Sequence, residues 1–209
     1  MSDDTSETIM RATYRALCDH GYADLTMQDI ADETDKSKAA LHYHYDSKRD
    51  LLHAFLDHLY EEFTARVAEP AGETPAERLE GLIDDVLRPT DSDADDRIAF
   101  RTALLELKAQ APYDEGIRER LQRFDASLRE RVRTLVAEGI DDGTFRAVDP
   151  DDTAQFIVTA LDGAGTKQVA VGQDIDCARR MLHAYVETHL VAGGRGADAT
   201  RTPPTEVSE

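Results

Sequence analysis

Apolar residues recur at intervals of three and four along almost the whole of this 209-residue chain, and that spacing decides its fold class. The most regular stripe is Ile117, Leu121, Phe124, Leu128, Val132 and Leu135, the pattern of a helix with one face turned to a core. No segment alternates apolar with polar residues as a half-buried strand does, so the chain reads as all-α. Hydrophobic residues make up 41%, enough for a core, yet no apolar run approaches the ~20 residues that cross a bilayer.

Capping and breaking residues cut the helical pattern into elements. Ile9, Ala12, Ala16 and Leu17 give a first helix that stops at Gly21, which suits a left-handed end. Thr26 caps a short second helix carrying Ile30 and Ala31, and Ser37 opens a third around Leu41. Leu52, Phe55, Leu56, Leu59, Phe63 and Val67 lie along a longer fourth helix ending before Pro70. Longer helices follow: one with Leu79, Leu82, Ile83 and Val86, one with Ile98, Leu104, Leu105 and Leu107, and then the regular stripe, broken by "DDGTF". "DPDD" starts a helix through Phe156, Ile157 and Leu161, and "QDID" precedes the last, with Met181, Leu182, Tyr185 and Leu190. "PTDSDADD" reads as an exposed loop, and the end from "GGRG" onward is too poor in apolar residues to pack. The expected layout is a three-helix domain over residues 1–52, a larger helical domain over 53–193 whose first helix links the two, and a disordered tail over 194–209.

Charge singles out one place. The chain has 24 Lys and Arg against 43 Asp and Glu, a net −19, with acidic residues in nearly every segment. That spread points to solvation in a salty cytoplasm rather than to one acidic binding patch. Against it stands "DKSKAALHYHYDSKRDLL", residues 35–52, where Lys36, Lys38, Lys48 and Arg49 face only three carboxylates. The two short helices around it have the dimensions of a helix-turn-helix. With Leu41 pointing inward, Ala39 and Tyr43 lie opposite it, Ala40 and His42 flank that outer face, and Ser37 and Tyr45 turn inward. Small residues near the start of such a helix let it approach base edges, and alanine methyls can meet a thymine methyl. Lys36 and Lys38 supply donors for guanine or phosphate, while Lys48, Arg49 and the helix start at Thr26 suit flanking phosphates. The expected DNA-binding set is therefore Thr26, Lys36, Ser37, Lys38, Ala39, Ala40, His42, Tyr43 and Lys48, acting on double-stranded DNA.

The segment "TMQDIADETDKSKAALHYHYDSKRDLL" resembles the DNA-binding region of TetR-type transcriptional regulators, in which T-x-x-D-I-A is followed by S-x-G-T-L-Y-x-H-F and S-K-x-x-L-L. Thr26, Asp29, Ile30, Ala31, Ser37, Leu41, His44, Ser47, Lys48, Leu51 and Leu52 match, and the likeness is dense over residues 9–55. Asp35 stands in place of the usual turn glycine, Ala39 and Ala40 in place of Gly-Thr, His42 in place of the first tyrosine and Tyr45 in place of phenylalanine. The resemblance implies a helical ligand-binding and dimerising bundle after residue 70, a small-molecule effector, and a homodimer reading a palindromic operator. Within that bundle Phe100, Leu104, Phe124, Phe156 and Thr159 are the expected pocket lining. Leu161, Gly163, Gly165, Met181, Leu182 and Tyr185, small and bulky residues mixed, are the expected dimer interface.

Other chemistry finds little support in the sequence. Cys18 and Cys177 have no metal or disulfide spacing and read as core thiols. His42 and His44 project in opposed directions and cannot share an ion; His44 reads as a packed histidine, and His53 with Asp57 as a solvent-facing pair. There is no GxSxG, phosphate-binding glycine loop or HExxH, and "DGAG" at 162–165 suits close helix packing. No cofactor or metal is expected, and a non-DNA helical-bundle enzyme or binding module is the weaker alternative. The polar, acidic start "MSDDTSET" is unlike a secretory leader, so a soluble cytoplasmic protein is expected.

Overall fold

The computed structural model describes residues 3–87 and 94–193, and the expected tail lies outside the described residues. The helices are α1 (Asp3–Asp24), α2 (Met27–Asp32), α3 (Lys38–His44), α4 (Lys48–Ala68), α5 (Pro75–Leu87), α6 (Ala94–Gln110), α7 (Glu115–Asp141), α8 (Pro150–Val171) and α9 (Ile175–Tyr185), the last running into a π-helical turn, Val186–Leu190. No strand forms among the described residues, where one isolated bridge joins Phe145 to Val191.

The caps follow local chemistry. The Thr26 hydroxyl accepts from the Gln28 and Asp29 N–H groups while the Asp29 carboxylate accepts from the Thr26 N–H, a reciprocal capping box. Those hydrogen bonds from Thr26 hold the Asp29 carboxyl below the usual carboxylate range. Ser37, Ser47, Asp114, Asp149 and Asp174 cap the later helices more simply, each side chain accepting from a backbone N–H of the first turn. Gly21, at φ 70°, breaks α1 one turn before its end. Part of the acidic run expected to be a loop is helical, since α6 begins at Ala94; residues 88–93 lie outside the described residues.

Two cores hold the molecule. The first joins Ile9, Leu17, Leu25, Ile30, Leu41, Leu52, Phe55 and Leu56 of α1–α4 and is sealed by Ala103 and Leu107 of α6 and Ile117 of α7. The second gathers Leu79, Leu82 and Ile83 of α5 with Val132, Leu135 and Val136 of α7, Ile157 and Leu161 of α8, and Leu182 and Leu190. Phe145, in the "DDGTF" break, is 3% exposed, and its ring lies so close to Gly139 that a Cβ there would sit 2.2 Å away. The glycine is what lets that loop fold back onto α7. The sequence pattern does not mark this contact, because a loop phenylalanine follows no helical period.

Candidate nucleic-acid interface

The α2–turn–α3 unit is built from inside outward. Leu41 is fully buried and Tyr45 half-buried, which burial reflects by raising the Tyr45 hydroxyl pKa. On the opposite side Tyr43 is 85% exposed, and Ala39, His42 and Lys38 are exposed with it. The helical geometry inferred from Leu41 thus agrees with the directions of Tyr45, Ala39 and Tyr43, but Ser37, expected to turn inward, is exposed because as the cap it has extended backbone angles and does not follow the helical period. Ser37 and Thr26 are exposed caps, and Ala40 is half-buried. Contrary to expectation, His44 is exposed and lies edge-on between Tyr43 and Tyr45, because α3 is too short to give its last turn a second packing surface.

The cations behave differently from one another. Lys48 turns inward: its ammonium donates to the Tyr22 carbonyl at 2.9 Å and the Leu25 carbonyl at 2.8 Å, and sits 4.9 Å from the centre of the Tyr22 ring. It closes the carbonyl end of α1 and the turn into α2, a role invisible in sequence because its partners lie more than twenty residues away. Arg49, expected near phosphate, instead pairs with Asp114 at 2.7 Å. Lys36 lies 3.4 Å from Asp35, whereas Lys38 has no ion-pair or hydrogen-bond partner among the described residues.

Asp114 joins this unit to the bundle. It caps α7 through the Ile117 N–H and also receives Arg49 and, at 3.1 Å, His53 Nε2. Its burial raises the carboxyl pKa, but the hydrogen bonds from Ile117, Arg49 and His53 outweigh that and hold it below the usual range. One turn on, Asp57 takes Arg120 at 2.7 Å and Arg123 at 2.9 Å. His53 and Asp57 are therefore parts of a cross-helix network and not a solvent-facing pair. A second tie runs from the Glu106 carboxylate of α6 to the Tyr22 N–H, beside the kink at Gly21.

The expected pocket residues do not meet in one cavity. Phe100 stacks on Tyr14 at 5.3 Å between ring centres, and Phe124 packs against Tyr60 and Phe63 of α4, with Leu104 half-buried on α6. Phe156 is 51% exposed and Thr159 is exposed, since both face outward from α8. Phe156 instead meets Tyr185, and Tyr185 stacks on His189. Of the expected interface set, Leu161 and Leu182 belong to the chain's own core, while Met181 is 65% exposed and Gly163, Gly165 and Tyr185 are partly open. A Cβ on Gly163 or Gly165 would meet nothing within 4 Å, so the close helix packing expected of "DGAG" is not found within the chain. Cys177 is exposed and Cys18 half-buried, correcting their reading as core thiols. No helix among the described residues is long and apolar enough to cross a membrane.

With this geometry in view, the comparisons with known proteins agree with one another. Residues 9–55 match the family described as bacterial regulatory proteins, tetR family, and residues 75–191 match the BetI-type transcriptional repressor C-terminal family. The chain is 27% identical to the HTH-type transcriptional repressor AcnR of Corynebacterium glutamicum over 159 residues, 75% of this chain and 78% of that protein. It resembles the crystal structure of a TetR transcription regulator from Haloarcula marismortui, with 41% identity, a TM-score of 0.82, and 90% and 98% of the two chains covered. A transcriptional regulator from Saccharomonospora viridis, solved in complex with choline, is 26% identical with a TM-score of 0.78, over 91% of this chain and all of that one.

Proposed function

The chain belongs to the TetR family of DNA-binding transcriptional regulators, and from that premise we propose that it is a repressor that holds a palindromic operator as a homodimer and leaves it when a small molecule enters the bundle. The observation that carries the DNA reading is the outer face of α3. Lys38, Ala39, His42 and Tyr43 project from a short helix fixed through Leu41, with no protomer group covering them. Thr26, Lys36, Ser37 and Ala40 lie at the helix starts beside that face, and the one Lys48 donor not spent on carbonyls can reach a phosphate. The head of this regulator is residues 1–52, and the bundle is residues 53–193.

The dimer forms through α8 and α9. Phe156, Met181 and Tyr185 leave apolar surface there, and Gly163 and Gly165 leave room for a second helix to approach. One helix-turn-helix makes few contacts, whereas two of them about 34–36 Å apart, or a multiple of that, read an inverted repeat. Quaternary ammonium compounds are the first effector class to test, since a related regulator of the same fold is solved in complex with choline. Phe100 and Leu104 lie on α6 and would feel a ligand through that helix.

A band shift on the DNA upstream of the chain's own gene, run at high KCl with and without choline, tests both halves. Retardation that choline relieves is expected. Absence of retardation on any DNA tried would overturn the DNA reading, whereas retardation indifferent to choline would remove choline as the effector.

A further inference from the structure

We propose that Glu106 of α6 sets the spacing at which the two DNA-reading heads stand, and so which separation of operator half-sites the protein accepts. This rests on the reading of the molecule as a dimer that holds an inverted repeat through α3. The head is not an independent lobe: its core is completed by Ala103 and Leu107 of α6 and Ile117 of α7. Such apolar contact is non-directional and leaves the head free to slide along α6. The contact that fixes its register is polar. At Gly21, φ 70° and ψ 170°, α1 departs from helical geometry, and the Tyr22 N–H donates to the Glu106 carboxylate. A hydrogen bond to a charged acceptor is directional and of the stronger kind. Gly21 is what admits the carboxylate, since a Cβ there would stand 2.8 Å from Glu106 Oε2.

On each side of that bond the connection continues. Toward DNA, the carbonyl of the same Tyr22 accepts from Lys48 at 2.9 Å, and Lys48 also donates to the Leu25 carbonyl at 2.8 Å, so the end of α1, the approach to α2 and the start of α4 share one register. Toward the bundle, α6 is tied to α8 by Lys108, which pairs with Asp162, and by Arg101, which donates to Gln168. Asp162 and Gln168 flank Gly163 and Gly165, the part of α8 assigned above to the dimer face. The α6 helix is therefore a strut between the dimer helix and the head, and Glu106 is its catch on the head side. The two-fold axis fixes where each α8 lies, and the strut then fixes where each α3 lies. Glu106 acts through Tyr22 and not on DNA itself, so it is a positioning residue. Its effect falls on the separation of half-sites and not on the bases within them.

The test uses the full-length protein at high KCl and the inverted repeat that wild type recovers from a random pool. Beside it are set duplexes with two base pairs added or removed between the half-sites, which turn one half-site relative to the other by about 70°. Affinity is followed by the anisotropy of a fluorescein label, and melting temperature is measured in parallel. Wild type should bind the altered spacings about 100-fold more weakly than the recovered one. Glu106→Ala, which removes the acceptor, and Glu106→Asp, which keeps the charge but withdraws it by one methylene, should bind them no more than about tenfold more weakly, while selecting the same bases. Glu106→Gln, whose amide oxygen can still accept the Tyr22 N–H, should discriminate as wild type does. Leu107→Val loosens the apolar seal without touching the bond and should lower the melting temperature alone. Equal discrimination by wild type, Glu106→Ala and Glu106→Asp would overturn the proposal while leaving the DNA reading in place, and so would relaxation of spacing by Leu107→Val to the same extent. Recovery of no inverted repeat would overturn both.

Discussion

At the residue scale the two ends of the recognition segment separate stability from specificity. Lys48→Ala removes two hydrogen bonds from a charged donor to the Tyr22 and Leu25 carbonyls. We expect it to cost about 1.5–3 kcal/mol, read as a lower melting temperature, and to weaken binding to all DNA sequences alike. Tyr43→Ala, at an 85% exposed site, should leave the melting temperature unchanged and alter the preferred bases, with ~1–3 kcal/mol lost per good base contact. A Lys48→Ala protein of unchanged stability would show that the carbonyl contacts contribute little. The side of α3 on which each residue lies was legible because a helix with one buried leucine has its other directions fixed. The destination of Lys48 was not, since its partners are distant in the chain, and the outward turn of Phe156 was not, because an amphipathic stripe does not say how wide the buried face is.

At the scale of elements, the Asp114 cap joins α4 to α7 and is sensitive to acid. The bonds that hold the Asp114 carboxyl below its usual range favour the charged form in the folded state, so its contribution is complete above the ordinary carboxylate value and is lost as pH falls through the lower folded value. Asp84 of α5, which receives Arg179 of α9 through both oxygens at 2.6 and 2.7 Å, follows the same sign, its carboxyl lowered chiefly by the Arg179 hydrogen bonds. Acid titration followed by circular dichroism should therefore show wild type losing stability below about pH 4, with Asp114→Asn already less stable at neutral pH and flatter in acid. Equal acid sensitivity in both proteins would show that the junction contributes nothing to pH dependence. Helix starts were legible from Thr, Ser and Asp caps. The ties between helices were not, because periodicity places an apolar face but says nothing about which polar residue of a distant helix meets it.

At the scale of the whole molecule, the all-α fold followed from spacing alone, and the membership of the head in the TetR family from the residues around Thr26 to Leu52. The location of any cavity did not, because aromatic residues on neighbouring helices can stack on one another, as Phe100 does on Tyr14, instead of lining a space. The dimer face has its own test. Gly163→Leu adds a side chain where nothing lies within 4 Å, and leucine favours a helix over glycine by about 0.8 kcal/mol, so the protomer should fold undisturbed. Sedimentation in high salt should then report a monomer where wild type reports a dimer; an unchanged dimer would move the interface off this part of α8. The central claim, that two α3 helices read DNA together, is tested most directly by selecting from a random DNA pool with wild type and with Tyr43→Ala. The account predicts an inverted repeat for wild type, its half-sites about one helical turn or a multiple of it apart, and altered bases within each half-site for Tyr43→Ala. Recovery of no common motif, or of the same motif at the same affinity with both proteins, would contradict it.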